Sequence, residues 1–182
     1  MIVAITGTPG TGKTSVTRLL HTNGYLTMEL NDIIWRHNCI LGYDHTRETY
    51  EIDVDKLNFH VRAEAKNLLG ARDGTDAILF LDSHLSHLLS TELIDIVIVL
   101  RCHPSALARR LEAHGYKSGK IRENLEAEAL AVISCEATEM HKRVYEIDTT
   151  HINPQNIMIA ILDPDKYVPG KIDWFKVILE WY

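Results

Sequence analysis

The sequence predicts an α/β fold: a five-stranded parallel sheet flanked by helices in three layers, with one insertion and a short lid. Three observations predict it. Five short apolar runs recur along the chain, alternating with segments of helical periodicity. Two of them, at 77–81 and 94–100, are nearly continuous, the pattern of strands buried on both faces. The first run, Ile2-Val3-Ala4-Ile5, passes through a glycine-rich loop into a helical pattern, the strand–loop–helix order of a wound parallel sheet.

That loop, Gly7-Thr8-Pro9-Gly10-Thr11-Gly12-Lys13-Thr14, has the spacing G-x-x-x-x-G-K-T. Its glycines allow a tight turn that brings backbone N–H groups against phosphate oxygens. The helix that follows adds unsatisfied N–H groups and the positive end of a dipole. Lys13 would reach the β- and γ-phosphates, and the Thr14 hydroxyl would ligate Mg²⁺. Gly10, Thr11, Gly12, Lys13, Thr14 and Ser15 are therefore the expected ATP contacts, and the fold class narrows to a three-layer P-loop NTPase. The competing reading is a structural glycine turn.

The elements follow in order. The first strand is 2–6. Helix one runs to about His21 and stops at Asn23-Gly24, a helix-ending pair. Leu26, Met28 and Leu30 alternate with Thr27 and Glu29 in a second strand, and Asn31-Asp32 can cap a short helix over 33–38. The polar, turn-rich stretch 42–49 is long for a connection, so it reads as a lid or binding segment, or else as a solvated surface insertion. Leu57, Val61, Ala65 and Leu68 place a helix over 55–69, and 70–76 is a break. The run 77–81 ends in Asp82-Ser83-His84, and 94–100 ends in Arg101. His103-Pro104 opens a helix to about His114, 115–119 interrupts it, and 121–141 reads as one long helix. A fifth strand at 143–148, a helix from Pro154 to Leu162 and a closing helix over 172–182 with Trp174, Ile178, Trp181 and Tyr182 complete the chain.

Ligands of such sheets sit beyond the carboxyl ends of the strands. The strand ends gather a lysine (Lys13), a carboxylate (Asp82), an imidazole (His84) and an arginine (Arg101) at one edge. Asp82 fits the carboxylate that supports Mg²⁺, directly or through water; the alternative is a cap on the next turn. His84, two residues on, would orient a water or an acceptor phosphate, or simply pack at the strand end. Arg109 and Arg110 precede a basic, glycine-bounded stretch with His114, Lys117, Lys120 and Arg122 that suits a lid closing over ATP or an ordinary helix connection. Arg36 is a candidate contact for an acceptor phosphate, or a surface arginine.

Composition sets the frame. The chain has 182 residues, 46% hydrophobic and 24% charged, enough for one domain with a sizeable core. The net charge of −6 and the absence of a basic run argue against broad nucleic-acid binding. Three scattered cysteines without metal spacing suit a reduced, cytoplasmic setting. No run is long enough for a membrane span, and the first residues enter a strand, so neither an anchor nor a signal peptide is expected.

Several details together resemble the adenylate kinase isoenzyme 6 (CINAP-type) branch of the nucleoside monophosphate kinases. They are the 7–14 loop, Gly42-Tyr43-Asp44, Asp82-Ser83-His84, Leu100-Arg101, Arg110-Leu111-Glu112 before Gly115-Tyr116, then Lys120-Ile121, Asn124 and Ala127-Glu128. The resemblance covers most of 1–150. It implies transfer from ATP to a nucleoside monophosphate, AMP preferred, with Mg²⁺, together with ATP hydrolysis. It also implies a place in maturation of the small ribosomal subunit beside a ribosomal protein or pre-ribosome. Asp82 and His84 fall on the Walker B motif; Lys13, Asp82 and His84 become the catalytic residues, with Mg²⁺ at Thr14 and Asp82. The acceptor segment would be about 29–52 and the lid about 113–123, with Arg36, Arg110, His114 and Lys120 as their candidate contacts. Two positions depart from the family: His114 stands where it usually has arginine before Gly-Tyr, and Trp35 stands where its acceptor helix has arginine, with Arg36 one place later. One residue turns a helical side chain by about 100°, so Arg36 is not a direct substitute. ATP binding should survive both changes; weak acceptor phosphorylation, leaving an ATP-hydrolysing assembly factor, is the alternative.

Overall fold

The computed structural model describes residues 1–71, 77–167 and 169–179. A five-stranded sheet runs β2(Leu26–Glu29), β5(Leu79–Asp82), β1(Ile2–Thr6), β6(Ile96–Arg101), β7(Val144–Asp148), and every pairing in it is parallel. This is the α/β P-loop NTPase fold. The strands alternate sides with period two. Ala4, Leu79, Leu81, Val97 and Val99 face one layer. Val3, Ile5, Phe80, Ile98 and Leu100 face the other. The first layer is closed by α2(Leu30–Arg36), α3(Val54–Gly70) and α6(Val132–Met140) through Ile33, Leu57, Val61 and Ala137. The second is closed by α1(Lys13–Thr22) and α7(Pro154–Leu162) through Val16, Leu20, Ile157 and Ile161. Burial on both faces is why these strands read as continuous apolar runs.

Two segments leave this plan. The polar stretch 42–49 is not a single loop but part of an antiparallel hairpin, β3(Ile40–Asp44) and β4(Thr49–Ile52), with Tyr43 opposite Tyr50. Asp44 Oδ1 accepts from the N–H of Thr46 (2.8 Å) and of Arg47 (3.1 Å), shaping the turn. The hairpin forms a separate sheet with most of its residues exposed; β3 alternates in burial, but its less exposed positions include Gly42 and Asp44 while Leu41 and Tyr43 are exposed, so no apolar alternation marks it. The predicted long helix 121–141 is two helices. It breaks after α5(Ser118–Ala129) at Ala131, whose φ is 54°, and α6 turns back onto the sheet. Neither glycine nor proline signals that break, because burial of Ala137, not local preference, fixes it. α5 already starts at Ser118, so Gly119 lies inside its first turn.

α4(Pro104–Ala113) packs Leu107 and Leu111 against Ile121 and Leu125 of α5. The α2 start differs too: Glu29 occupies its N-cap position without a side-chain bond, in place of Asn31-Asp32. Among the described C-terminal residues, helix spans α8(Phe175–Leu179). Trp174 meets the His103 ring edge-on at 4.8 Å; Trp181 and Tyr182 lie outside the described residues, as do 72–76 in the predicted break.

Candidate active site

The glycine loop joins β1 to α1 at the centre of the sheet. Gly7 has φ 134°, and a Cβ there would collide with the carbonyl oxygen of Leu100 on the neighbouring strand. Gly10 has φ 86°, and its Cβ would press on Leu107 and Leu111 of α4. Glycine is thus required at both positions by close approach as well as by conformation. Thr11 folds its hydroxyl back to Thr8 O (2.8 Å). The loop is also held from outside. Thr8 Oγ1 donates to Glu128 Oε2 (2.6 Å), and Thr149 Oγ1 donates to Thr11 O (2.8 Å).

Lys13 curls over the loop, donating to Gly7 O (2.7 Å) and Thr8 O (3.1 Å). Burial lowers its ammonium to about 8, partly opposed by the Asp82 and Glu128 carboxylates. The carboxyl ends of β1 and β5 are adjacent, with Ile5 beside Asp82. This register sets Asp82 next to the loop. Burial pushes its carboxyl up; Lys13 pulls it back, Glu29 adds to the rise, and the Thr14 and Thr17 hydroxyls oppose it. His84 is exposed where it lines the cleft. Partial desolvation within the cleft, then the Lys13 charge, lowers the imidazole below its ordinary value, so the ring is neutral at pH 7. Thr6 Oγ1 donates to His84 O (3.2 Å) and pairs with the buried His87 ring (2.9 Å), steadying the turn behind it.

These residues share one cleft of about 810 Å³. Gly10, Thr11, Gly12, Lys13, Thr14, Ser15, Asp82, His84, Arg110 and His114 all line it. Arg110 reaches across α4 to the carbonyls of Thr149 (2.8 Å), Thr150 (3.2 Å) and Gly10 (3.4 Å), so it braces the loop against the β7–α7 connection. A second cavity of about 280 Å³ opens beside the cleft, walled by α2, the hairpin and the turn after β5, with Asn31 and His84 common to both.

Three predicted residues are placed elsewhere. Arg101 does not face the ligand edge. It is buried, donating to Glu128 Oε1 (2.7 Å) and Glu146 Oε1 (2.6 Å), and it joins β6 to α5 and β7. Arg36 lies outside both cavities and pairs with Glu64 of α3 at 2.9 Å, while Trp35 lines the smaller cavity. Lys120 bonds Glu123 (2.9 Å) and Arg47 O (3.3 Å) rather than lining the cleft; beside it Lys117 pairs with Glu48 at 2.6 Å, tying the 113–123 segment to the hairpin. Sequence reasoning missed Glu128, Thr149 and Arg18. Glu128 and Thr149 brace the loop, and Thr149 and Arg18 line the cleft. Glu128 stood within the quoted Ala127-Glu128 pair, but nothing local distinguishes a buried brace from a surface helix glutamate.

Residues 3–131 match the family model described as AAA domain. A protein of Methanosarcina barkeri named "Putative adenylate kinase" is 37% identical over 98% of this chain and all of its own length. One of Pyrococcus furiosus with the same name is 40% identical over 99% of this chain and 94% of its own. The chain belongs to this adenylate kinase-like family. The fold of this adenylate kinase-like chain is also that of a crystal structure of TT1252 from Thermus thermophilus, at a TM-score of 0.59 over 91% of this chain and 97% of that one. At 16% identity, that likeness speaks for the fold alone. Among the described residues no group of three or more His, Cys, Asp or Glu side chains could hold a metal by itself, and no helix is long and apolar enough to cross a membrane.

Proposed function

We propose that the protein is an ATP-dependent nucleoside monophosphate kinase, converting ATP and AMP to two ADP. The single observation that carries this is the pair of joined cavities. One is built on the phosphate-binding loop, the other is bounded by the hairpin insertion, and His84 stands where they meet. Transfer between two bound nucleotides needs two adjoining sites in line, and little covalent help from the protein. The loop N–H groups and Lys13 hold the donor phosphates. Arg110, reaching Gly10 O, keeps the loop in register. The 113–123 segment acts as the lid, tied to the hairpin by the exposed Lys117–Glu48 pair. Segment 29–52 receives the acceptor, and 1–182 acts as one kinase domain.

The residues present fit Mg²⁺. The Asp82 carboxylate and the Thr14 hydroxyl are hard oxygen donors in mutual contact on the cleft floor, as that ion prefers. Bound there with ATP, the ion supplies charge neutralisation at the transferred phosphoryl group. A neutral His84 accepts a hydrogen bond from a water or orients the acceptor.

A specific observation favours a second reading, the ATP-hydrolysing assembly factor of the isoenzyme 6 type, acting in the cytoplasm on a small-subunit ribosomal protein or pre-ribosome. His114 stands in the lid where the family usually has arginine, and Arg36 is turned to Glu64, so the lid and the acceptor side each lack an expected arginine. The test is ADP formation from MgATP alone and with each nucleoside monophosphate, with Lys13→Ala to exclude contamination. Strong stimulation by AMP, with ADP formed from both substrates, supports the kinase. Slow ADP release indifferent to every monophosphate overturns it in favour of the second reading.

A further inference from the structure

Three side chains stand in line behind the turn that carries His84. Glu136 of α6 is half-exposed, and its Oε2 lies 3.0 Å from His87 Nε2. His87 belongs to a short 3-10 helix, Ser86–Leu88; its side chain is 2% exposed, and its Nδ1 lies 2.9 Å from Thr6 Oγ1. Thr6 ends β1 directly before the glycine loop, and its Oγ1 also lies 3.2 Å from the carbonyl oxygen of His84. The chain of contacts thus runs from solvent to the backbone of a residue that lines both cavities. Protons cannot satisfy every link in one state, because a hydroxyl has one to give and a carboxylate has none. With a neutral ring, Nε2–H donates to Glu136, and the bare Nδ1 accepts from Thr6, which then has nothing left for His84 O. The other neutral tautomer would set a bare Nε2 against the carboxylate, lone pair to lone pair. With a charged ring, Nδ1–H donates to Thr6 Oγ1, and the hydroxyl proton turns to His84 O. The two arrangements differ by one proton and by one hydrogen bond to His84. The groups around the ring pull its charge both ways. Burial lowers the imidazole, Glu136 raises it and His141, whose Nε2 donates to His87 O at 2.8 Å, lowers it. The His84 ring is the remaining titratable neighbour. The balance leaves His87 neutral at pH 7 and charged as pH falls.

We propose that His87 is a positioning residue for His84: charged, it frees the Thr6 hydroxyl to hold the His84 carbonyl, and neutral, it takes that hydroxyl for itself. Glu136, open to solvent, is where the proton enters. The proposal rests on the reading of His84 as a working group of the nucleotide site. Held by Thr6, the turn keeps the His84 ring in one place at the meeting of the cavities. Released, the turn has one restraint fewer, and the productive placement of the ring is less populated.

The experiment follows two resonances of the full chain between about pH 5 and about pH 8, the range in which histidine titrates. One is the His87 ring ¹⁵N signal; the other is the His84 carbonyl ¹³C signal, read through the Leu85 amide. The expected result is a downfield move of the carbonyl with the same midpoint as the ring. In Thr6→Val the ring still titrates and the carbonyl no longer follows it. Glu136→Gln, at a half-exposed position, lowers the ring midpoint by about one pH unit, and the carbonyl follows it to the new value. The functional readout is the ratio of wild-type to Thr6→Val kcat for ADP formation from saturating MgATP, in which the titrations of ATP and of the His84 ring cancel. The ratio should stay near one at the alkaline end and climb to about three- to tenfold at the acid end, the scale of one hydrogen bond, with KM for ATP unmoved. A merely structural role lowers kcat by the same factor at every pH, so a flat ratio overturns the proposal. So does a carbonyl that ignores the ring, or a midpoint unmoved in Glu136→Gln. Should Thr6→Val not fold, the Glu136→Gln spectra decide alone, by whether carbonyl and ring midpoints move together. Failure of the nucleotide-site reading is separate: wild-type turnover would not depend on Lys13, while the carbonyl would still follow the ring.

Discussion

Arg101→Leu tests the reassignment of the arginine at the end of β6 from ligand contact to structural brace. In the folded protein Arg101 is 1% exposed and makes four bonds: Nε to Glu128 Oε1 (2.7 Å), one terminal nitrogen to Glu146 Oε1 (2.6 Å) and Ser134 Oγ (3.3 Å), the other to Glu128 O (2.8 Å). Leucine fills part of the volume but strands two carboxylates whose side chains are each 2% exposed. Glu128 keeps Thr8 and the Cys102 N–H as donors, and Glu146 keeps the Gly170 N–H, so neither is left bare. Breaking a buried pair by removing one partner costs about 3–5 kcal/mol. For a chain of this size each kcal/mol moves the melting temperature by about 2–4 °C, so a fall of about 6–20 °C is expected. Urea melts read at constant slope give the free energy directly. Arg101→Lys should recover only part of it, because an ammonium cannot span two carboxylates as the guanidinium fork does. A loss below about 1 kcal/mol in the leucine variant, the scale of a surface ion pair, would refute the reasoning. So would a variant of undiminished stability that had lost ATP binding, which would return Arg101 to the ligand edge.

Lys13→Ala should abolish nucleotide turnover and leave the melting temperature of the free protein no lower, because burial already disfavours that ammonium; wild-type ADP formation would remove the loop from the chemistry. His84→Ala should lower ATP hydrolysis more than ATP affinity in parallel rate and binding measurements; equal hydrolysis rates would make it a packing residue. The His84 imidazole falls from 6.5 unfolded to about 4 folded, so the unfolded chain binds more protons between those values. Its share of stability is present above about pH 6.5 and is lost as pH falls toward 4, and the alanine variant should show a shallower acid loss in melts across that window. Gly7→Ala combines a φ of 134° with a clash on Leu100 O, whereas Gly12→Ala, at φ 101°, meets no atom within 4 Å. The first should cost at least about 1–3 kcal/mol and the second the strain alone, at the low end of that range; equal losses in denaturant melts would contradict the close approach.

The sequence by itself determined what contiguous residues can encode. The 7–14 loop carries its function in eight neighbouring positions, and the apolar runs announce strands because the sheet buries both faces. Asp82 was legible for the same reason: a carboxylate directly after such a run must stand at a strand end, and parallel pairing with β1 sets it beside the loop. The tertiary structure alone decided which charges are free. Arg101 and Arg36 look alike as exposed-end arginines until their partners, Glu128, Glu146 and Glu64, arrive from 27, 45 and 28 residues away. The hairpin was hidden because its strands are largely exposed and the burial period of β3 falls on Gly42 and Asp44 rather than on Leu41 and Tyr43, leaving no apolar alternation to read. The helix break at Ala131 was hidden because packing of α6 on the sheet, not propensity, imposes it. The smaller cavity exists only where α2, the hairpin and the turn after β5 converge, since its character depends on which face of α2 is turned inward. There Trp35 lines it and Arg36, one residue later, is turned toward α3.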